Sequence, residues 1–251
     1  MDFDFSALLP FIAVGFAAQA VDGALGMAFG VISNTLLVGV LGVPPAQASQ
    51  RVHVVECFTT ATSGISHLIH GNIDKALFFK LLLPGMAGGA LGAYVLTSLD
   101  SAVVKPFVLT YLTAIGLMLL WRGIKYPPQT RPARVVAPLG LIGGFLDAAG
   151  GGGWGPVVTS NLLIQGADPR RVVGTVNAVE FFLTLTISAA FIYHLGFADV
   201  AGATLGLLIG GIAAAPLGAW AAKHIPAKPM LVMVGVVLTI TSLFGIYKAV
   251  F

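Results

Sequence analysis

Asp147-Ala148-Ala149-Gly150-Gly151-Gly152-Gly153-Trp154-Gly155-Pro156 is the stretch on which the fold turns. Each of its glycines costs about 1 kcal/mol relative to alanine inside a helix. Pro156 suits the first turn of a new helix, where no N–H is needed. The chain is therefore expected to break at Gly150–Gly153 and restart. The same pattern, in a weaker form, stands 125 positions earlier as Asp22-Gly23-Ala24-Leu25-Gly26-Met27-Ala28-Phe29-Gly30. Around this pair other residues recur at offsets of 123 to 126: Pro45 and Pro169, Glu56 and Glu180, Asp74 and Asp199, Lys105 and Lys228. Leu91-Gly92-Ala93-Tyr94 likewise returns as Leu217-Gly218-Ala219-Trp220. Such a period is far longer than the roughly 20–50 residues of a solenoid repeat. It reads as a duplicated half-protein, 1–126 and 127–251, together forming one transmembrane domain.

The halves are too apolar for water. Charged residues are 9% of the 251, against about 25% in a soluble domain. Hydrophobic residues are 57%, and mean hydropathy is +0.94. Apolar stretches near membrane-spanning length recur throughout. They are continuous rather than alternating, which disfavours a β-barrel. The acidic start is unlike the basic region of a signal peptide. Cys57 is the single cysteine, so no intrachain disulfide or thiolate cluster forms. The few basic residues are dispersed, which excludes a nucleic-acid partner. No cofactor or metal site is expected.

Ten hydrophobic segments can be read, at about 5–22, 25–43, 47–70, 75–98 and 102–124, then 134–148, 152–166, 170–195, 199–222 and 228–250. Residues 5–43 exceed one crossing. They form either a pair that returns to its starting side or one broken crossing. Positive charge favours the first. With the linker 121–134 in the cytoplasm, inverted halves place ten Lys and Arg inside and three outside; parallel halves give seven and six. The expected fold is thus an all-α integral membrane protein of two inverted repeats, about five segments each, the first pair of each half a broken or hairpin helix, with both termini outside.

The motif Gly143-Gly144-Phe145-Leu146-Asp147 to Pro156, with Val173-Gly174-Thr175-Val176-Asn177, resembles the TauE/SafE-type sulfite exporter family. The resemblance spans nearly the whole chain. The first half departs from it: Gln50-Arg51-Val52-His53 stands opposite Gly174-Thr175-Val176-Asn177. It implies a secondary transporter, an exporter, of sulfite, an organosulfonate or a related small anion, in a bacterial-type cytoplasmic (inner) membrane. The alternative is a small-anion channel without ion coupling. A membrane enzyme is disfavoured, because no nucleophile–base set or nucleotide motif occurs. Proton coupling and homodimerisation stay open.

Candidate site residues follow from the breaks. Helix N-termini at membrane depth free N–H donors suited to an anion. That assigns Gly23, Gly26, Gly150, Gly151, Gly152, Gly153 and Trp154 to substrate binding. Ser33-Asn34-Thr35 and Thr159-Ser160-Asn161 either complete an oxyanion's hydrogen bonds or join helices; Asn34 and Asn161 are taken as ligands, with Asn177. Arg51 either pairs with a sulfonate or anchors at the interface. Glu56 and Glu180 fall near mid-membrane, where ionisable groups are costly and serve function by default. With His53, one turn before Glu56, they are the proton-coupling or gating candidates; the competing reading is a neutral carboxyl that locks packing. Asp22 and Asp147 are read as caps of the helices that follow. His67, His70, His194 and His224 read as interfacial.

Overall fold

The computed structural model describes residues 5–25, 28–69, 71–124, 134–159, 161–162, 165, 167, 169–196, 201–224 and 227–250. All its regular elements are helical: α1 (Phe5–Leu25), α2 (Phe29–Thr35, widening into a π-helical turn over Leu36–Val40), α3 (Pro45–Ile69), α4 (Lys75–Ser98), α5 (Ser101–Ile124), α6 (Ala137–Gly150), α7 (the π-helical Trp154–Thr159), α8 (Pro169–Leu195), α9 (Ala201–His224) and α10 (Ala227–Val250). Their limits follow local chemistry. Asp74 caps α4, its Oδ1 accepting from Ala76 N at 2.9 Å and Leu77 N at 3.1 Å. α6 ends because Gly151 takes the left-handed conformation at φ 71° and Gly152 lies at φ 132°.

The first-half break falls later than Gly23–Gly26. α1 stays helical through Leu25 and α2 starts at Phe29. Here Leu25, a good helix former, stands where the second motif has Gly150, so the helix continues past Gly23. Gly26 lies outside the described residues, as do Ser160, His70, Asp199 and most of the linker.

The molecule is apolar outside and polar within. Phe79, Leu83, Phe107, Ile212 and Tyr193 are exposed, while Ser49, Gln50, His53, Glu56, Asp147, Thr175 and Thr184 are buried. Helices apolar on the outward face and polar on the inward one suit lipid, not water. Among the described residues, α4, α5 (over Ser101–Trp121) and α8 (over Arg171–Leu195) are long and apolar enough to cross a bilayer; α6 is shorter, at 14 residues.

Four close packings build the bundle. α4 and α6 run parallel at near backbone contact: a Cβ on Gly88 would strike the Leu141 carbonyl, and one on Gly144 the Gly85 carbonyl. α1 and α9 also run parallel, Gly15 against Leu207 and Gly210 against Phe16. α3 and α8 run antiparallel. Gln50 Nε2 donates to Gly196 O (2.8 Å), Cys57 Sγ meets Ser188 Oγ (3.5 Å), and Ser63 Oγ donates to Asn177 Oδ1 (3.2 Å). α5 and α10 are antiparallel too, Gly116 against Thr239 and Leu109 against Gly245.

Candidate functional site

The two chain breaks meet. A Cβ on Gly30 would lie 3.3 Å from Gly152 Cα and 2.8 Å from Glu56 Oε1. Each tip is organised by the aspartate before it. Asp22 Oδ1 accepts from Ala28 N (2.7 Å) and Phe29 N (3.0 Å). Asp147 Oδ1 accepts from Gly153 N (2.7 Å) and Trp154 N (2.9 Å). These donors were expected to await a bound anion; the protein's own carboxylates already hold them, so the partial positive charge at each restart is answered from within. Gly152 N also donates internally, to Asp147 O at 2.9 Å.

Between the tips lies a cavity of about 310 Å³. Asp22, Glu56, Asp147 and Glu180 all line it, and among the described residues no lysine or arginine does. Gly30, Gly152 and Gly153 contribute backbone, Gln19, Thr59, Thr60, Ser63 and Asn177 polar side chains. From Glu56 it follows α3 to His67, and from Glu180 it follows α8 back to Val173. It therefore extends from the tips toward the end where α3 finishes and α8 begins.

Its opposite end is closed. His53 is fully buried, its ring 6.3 Å from that of Phe191. His53 Nδ1 lies 2.7 Å from Ser49 O, and Nε2 lies 3.1 Å from Asp147 Oδ2. Ser49 Oγ donates to Ala148 O at 2.8 Å, a second tie between α3 and the last turn of α6. Tyr111 of α5 donates to Gly152 O at 3.1 Å and so fixes the second tip from the other side.

The remaining candidates sit apart. Trp154 is fully buried and spends its Nε1–H on Val176 O (3.2 Å). Gly150 abuts Tyr111, and Gly151 abuts the Asn34 side chain. Asn34 is buried, with neither side-chain polar atom hydrogen-bonded to protein, and it does not reach the cavity wall. Asn161 donates to Val157 O (2.9 Å) and faces a separate pocket beside Arg134 and Gln165. Arg51 lies outside the cavity, Nη2 3.5 Å from Gln47 Oε1 and its guanidinium over the Phe11 ring at 5.8 Å. Gly23 lies in the last turns of α1.

Sequence reasoning missed Gln19, Thr59, Thr60, Ser63, His67 and Tyr111. A signal for α3 was there: Ser49, His53, Glu56, Thr60, Ser63 and His67 recur every three or four residues, one polar face of a helix. His67, read as interfacial, belongs to that stripe and lines the cavity.

A family model for the sulfite exporter TauE/SafE matches residues 11–245. The chain belongs to the TauE/SafE family. Among TauE/SafE relatives it is 42% identical over 239 residues to the probable membrane transporter protein YtnM of Bacillus subtilis, covering 91% of this chain and 79% of that one. A probable membrane transporter protein of Haemophilus influenzae is 26% identical over 223 residues, 84% of this chain and 86% of its own. B. subtilis YunE, also a probable membrane transporter protein, is 29% identical over 116 residues, 44% of this chain and 42% of its own. No solved structure matches. This TauE/SafE chain is thus a membrane transporter by family, and its described helices suit that role.

Proposed function

We propose that the chain is a proton-coupled secondary transporter of a small oxyanion, of the sulfite or organosulfonate class, built from two inverted repeats whose helical hairpins meet at mid-membrane. The observation that carries this reading is the cavity between the tips, walled by four carboxylates and, among the described residues, by no lysine or arginine. An anion enters such a cavity only if carboxyls there are protonated, because a protonated carboxyl becomes an O–H donor while an ionised one only accepts and repels. Glu56 and Glu180 are the carboxyls whose oxygens neither tip consumes as caps. Binding of anion and proton is then linked, and both cross together in the direction set by the combined gradients. Gly30, Gly152, Gly153 and Asn177 form the walls of the same site. Gly23, Gly150, Gly151 and Trp154 shape the hairpins, and Asn34 braces the second tip.

The inverted architecture draws support from helix direction. Exchanging the halves turns the α1–α9 pair into the α6–α4 pair, both parallel, while α3 faces its own counterpart α8 antiparallel, and α5 faces α10 antiparallel. A two-fold axis lying across the helices relates such halves. α1–α2 and α6–α7 are then hairpins entering from opposite faces. At about 1.5 Å per residue, α6 rises roughly 20 Å, enough to reach mid-membrane but not to cross. With the linker in the cytoplasm, the cavity opens inward.

Purified protein in liposomes tests the function. Sulfite accumulation should follow an imposed pH gradient, acid side to alkaline side, and collapse with a protonophore. Sulfite flux indifferent to that gradient would overturn proton coupling.

A further inference from the structure

We propose that a further coupling proton, beside those taken up by Glu56 and Glu180, is bound between His53 Nε2 and Asp147 Oδ2, and that it latches the closed end of the cavity. This rests on the proton-coupled reading above and adds a second proton position to it. The argument is one of donors and acceptors. Ser49 O, 2.7 Å from His53 Nδ1, can only accept, so Nδ1 carries hydrogen. Ser49 Oγ, 3.2 Å from the same nitrogen, has spent its own hydrogen on Ala148 O and also accepts there. A neutral ring with its hydrogen on Nδ1 turns a lone pair from Nε2 toward Asp147 Oδ2, itself a lone-pair atom, at 3.1 Å. Two acceptors do not approach so closely in a buried site without a proton between them. The other oxygen, Oδ1, is held as an acceptor by two N–H groups. The shared proton therefore belongs to the Oδ2–Nε2 contact.

Its position makes it a latch. His53 stands on the closed half of α3, and Asp147 carries the tip of the second hairpin, whose backbone lines the cavity. Removing the proton leaves lone pair against lone pair and drives hairpin and α3 apart, on the side that is shut. The charged and titratable groups facing the pair are Glu56 from α3, Asp22 from α1, Glu180 from α8 and Tyr111 from α5. Asp22, Glu56 and Glu180 place negative charge near Asp147 when ionised, so a proton leaving the latch has nearby acceptors along the cavity wall. Among the described residues the device occurs once. The position matching His53 in the second half is Asn177, which takes no proton and instead accepts from Ser63.

Two measurements test this. Histidine 15N NMR on the substrate-free protein, with His53 assigned by its loss in H53N, should show hydrogen on Nδ1 and a shared proton on Nε2 at neutral pH, the latter lost in D147N. In liposomes, the ratio of pH-gradient-driven sulfite accumulation to sulfite counterflow should fall at least tenfold in H53N and in D147N. A His53 with bare Nε2 in the wild type, or an unchanged ratio in both variants, overturns the latch. Wild-type liposomes without gradient-driven accumulation overturn the transport reading instead, and the NMR result then still decides whether the proton is there.

Discussion

The two hairpin tips share a plan and differ in strictness. In both, an aspartate one or two turns upstream collects two N–H groups across the break. At the first tip Ala28 stands at φ −128°, a conformation open to any residue, while Gly26, in register with Gly151, lies outside the described residues. The second needs glycine at Gly151, held at φ 71° with the Asn34 side chain where a Cβ would go, and adds the buried contact to His53. On the proposed inverted repeat the halves share an architecture, and the contact of Asp147 with His53 distinguishes the second tip.

The largest effect that would break this comparison is at Gly151. Gly151→Val combines left-handed strain of about 1–3 kcal/mol with a collision against Asn34. The variant should lose all measurable transport and most folded yield. Gly151→Ala with Asn34→Ala should restore part of the yield, because the collision goes and only the strain remains. Ala28→Gly in the first tip should lower the melting temperature by no more than a few degrees. Equal damage at the two tips would show that they are equally strict.

Next are the aspartates. Asp147→Ala strips two N–H groups of their acceptor and leaves buried His53 without its partner. Breaking a buried pair costs about 3–5 kcal/mol. Asp22→Ala removes the two capping bonds of the first tip, about 1 kcal/mol. In detergent, the first should melt roughly 6–20 °C below the wild type and the second roughly 2–4 °C, by the usual conversion for a chain this long. Melting temperatures that coincide would remove the claimed inequality.

The glutamates sharpen the comparison within the cavity. If an anion binds only beside protonated carboxyls, wild-type affinity for sulfite should fall as pH rises, by up to about tenfold per pH unit for each proton taken up with it. Glutamine is a neutral stand-in for the protonated side chain. Glu56→Gln and Glu180→Gln should each flatten that slope and hold affinity at alkaline pH. Glu56, buried to 6% exposure where Gly30 and Gly152 meet, should flatten it more than half-buried Glu180. Isothermal titration across pH 6 to 9 reads this directly, and parallel slopes in all three proteins would return both carboxyls to a packing role.

Much of this was written in the chain. The all-helical build, its long apolar helices and the end of α6 at Gly150 follow from apolar lengths and the glycine run, which are local properties. Glu56 and Glu180 stood out because ionisable groups at membrane depth are costly, Asp147 because it precedes the glycine run, and Asn177 because it stands one turn before Glu180. What stayed hidden depends on three-dimensional direction. Nothing local says that Arg51 turns to Phe11, or that Tyr111 reaches Gly152, 41 positions on. The role of Asp147 was half visible: a cap is legible from spacing, but its contact with His53, 94 positions away, is tertiary.

Asn177 gives the smallest effect and the finest test of unequal halves. It occupies the place of His53, yet its Oδ1 accepts a single neutral hydrogen bond from Ser63 and its Nδ2 donates to Val173 O at 2.9 Å within its own helix. Asn177→Ala removes one cross-helix bond, worth about 0.5–1.5 kcal/mol, and no proton. Melting should drop by roughly 1–6 °C. Because Asn177 lines the cavity, sulfite affinity should weaken, by about threefold, while the ratio of gradient-driven accumulation to counterflow keeps its wild-type value. A fall in that ratio matching the one in H53N would mean that Asn177 carries coupling as His53 does, and the asymmetry between these two matching positions would not stand.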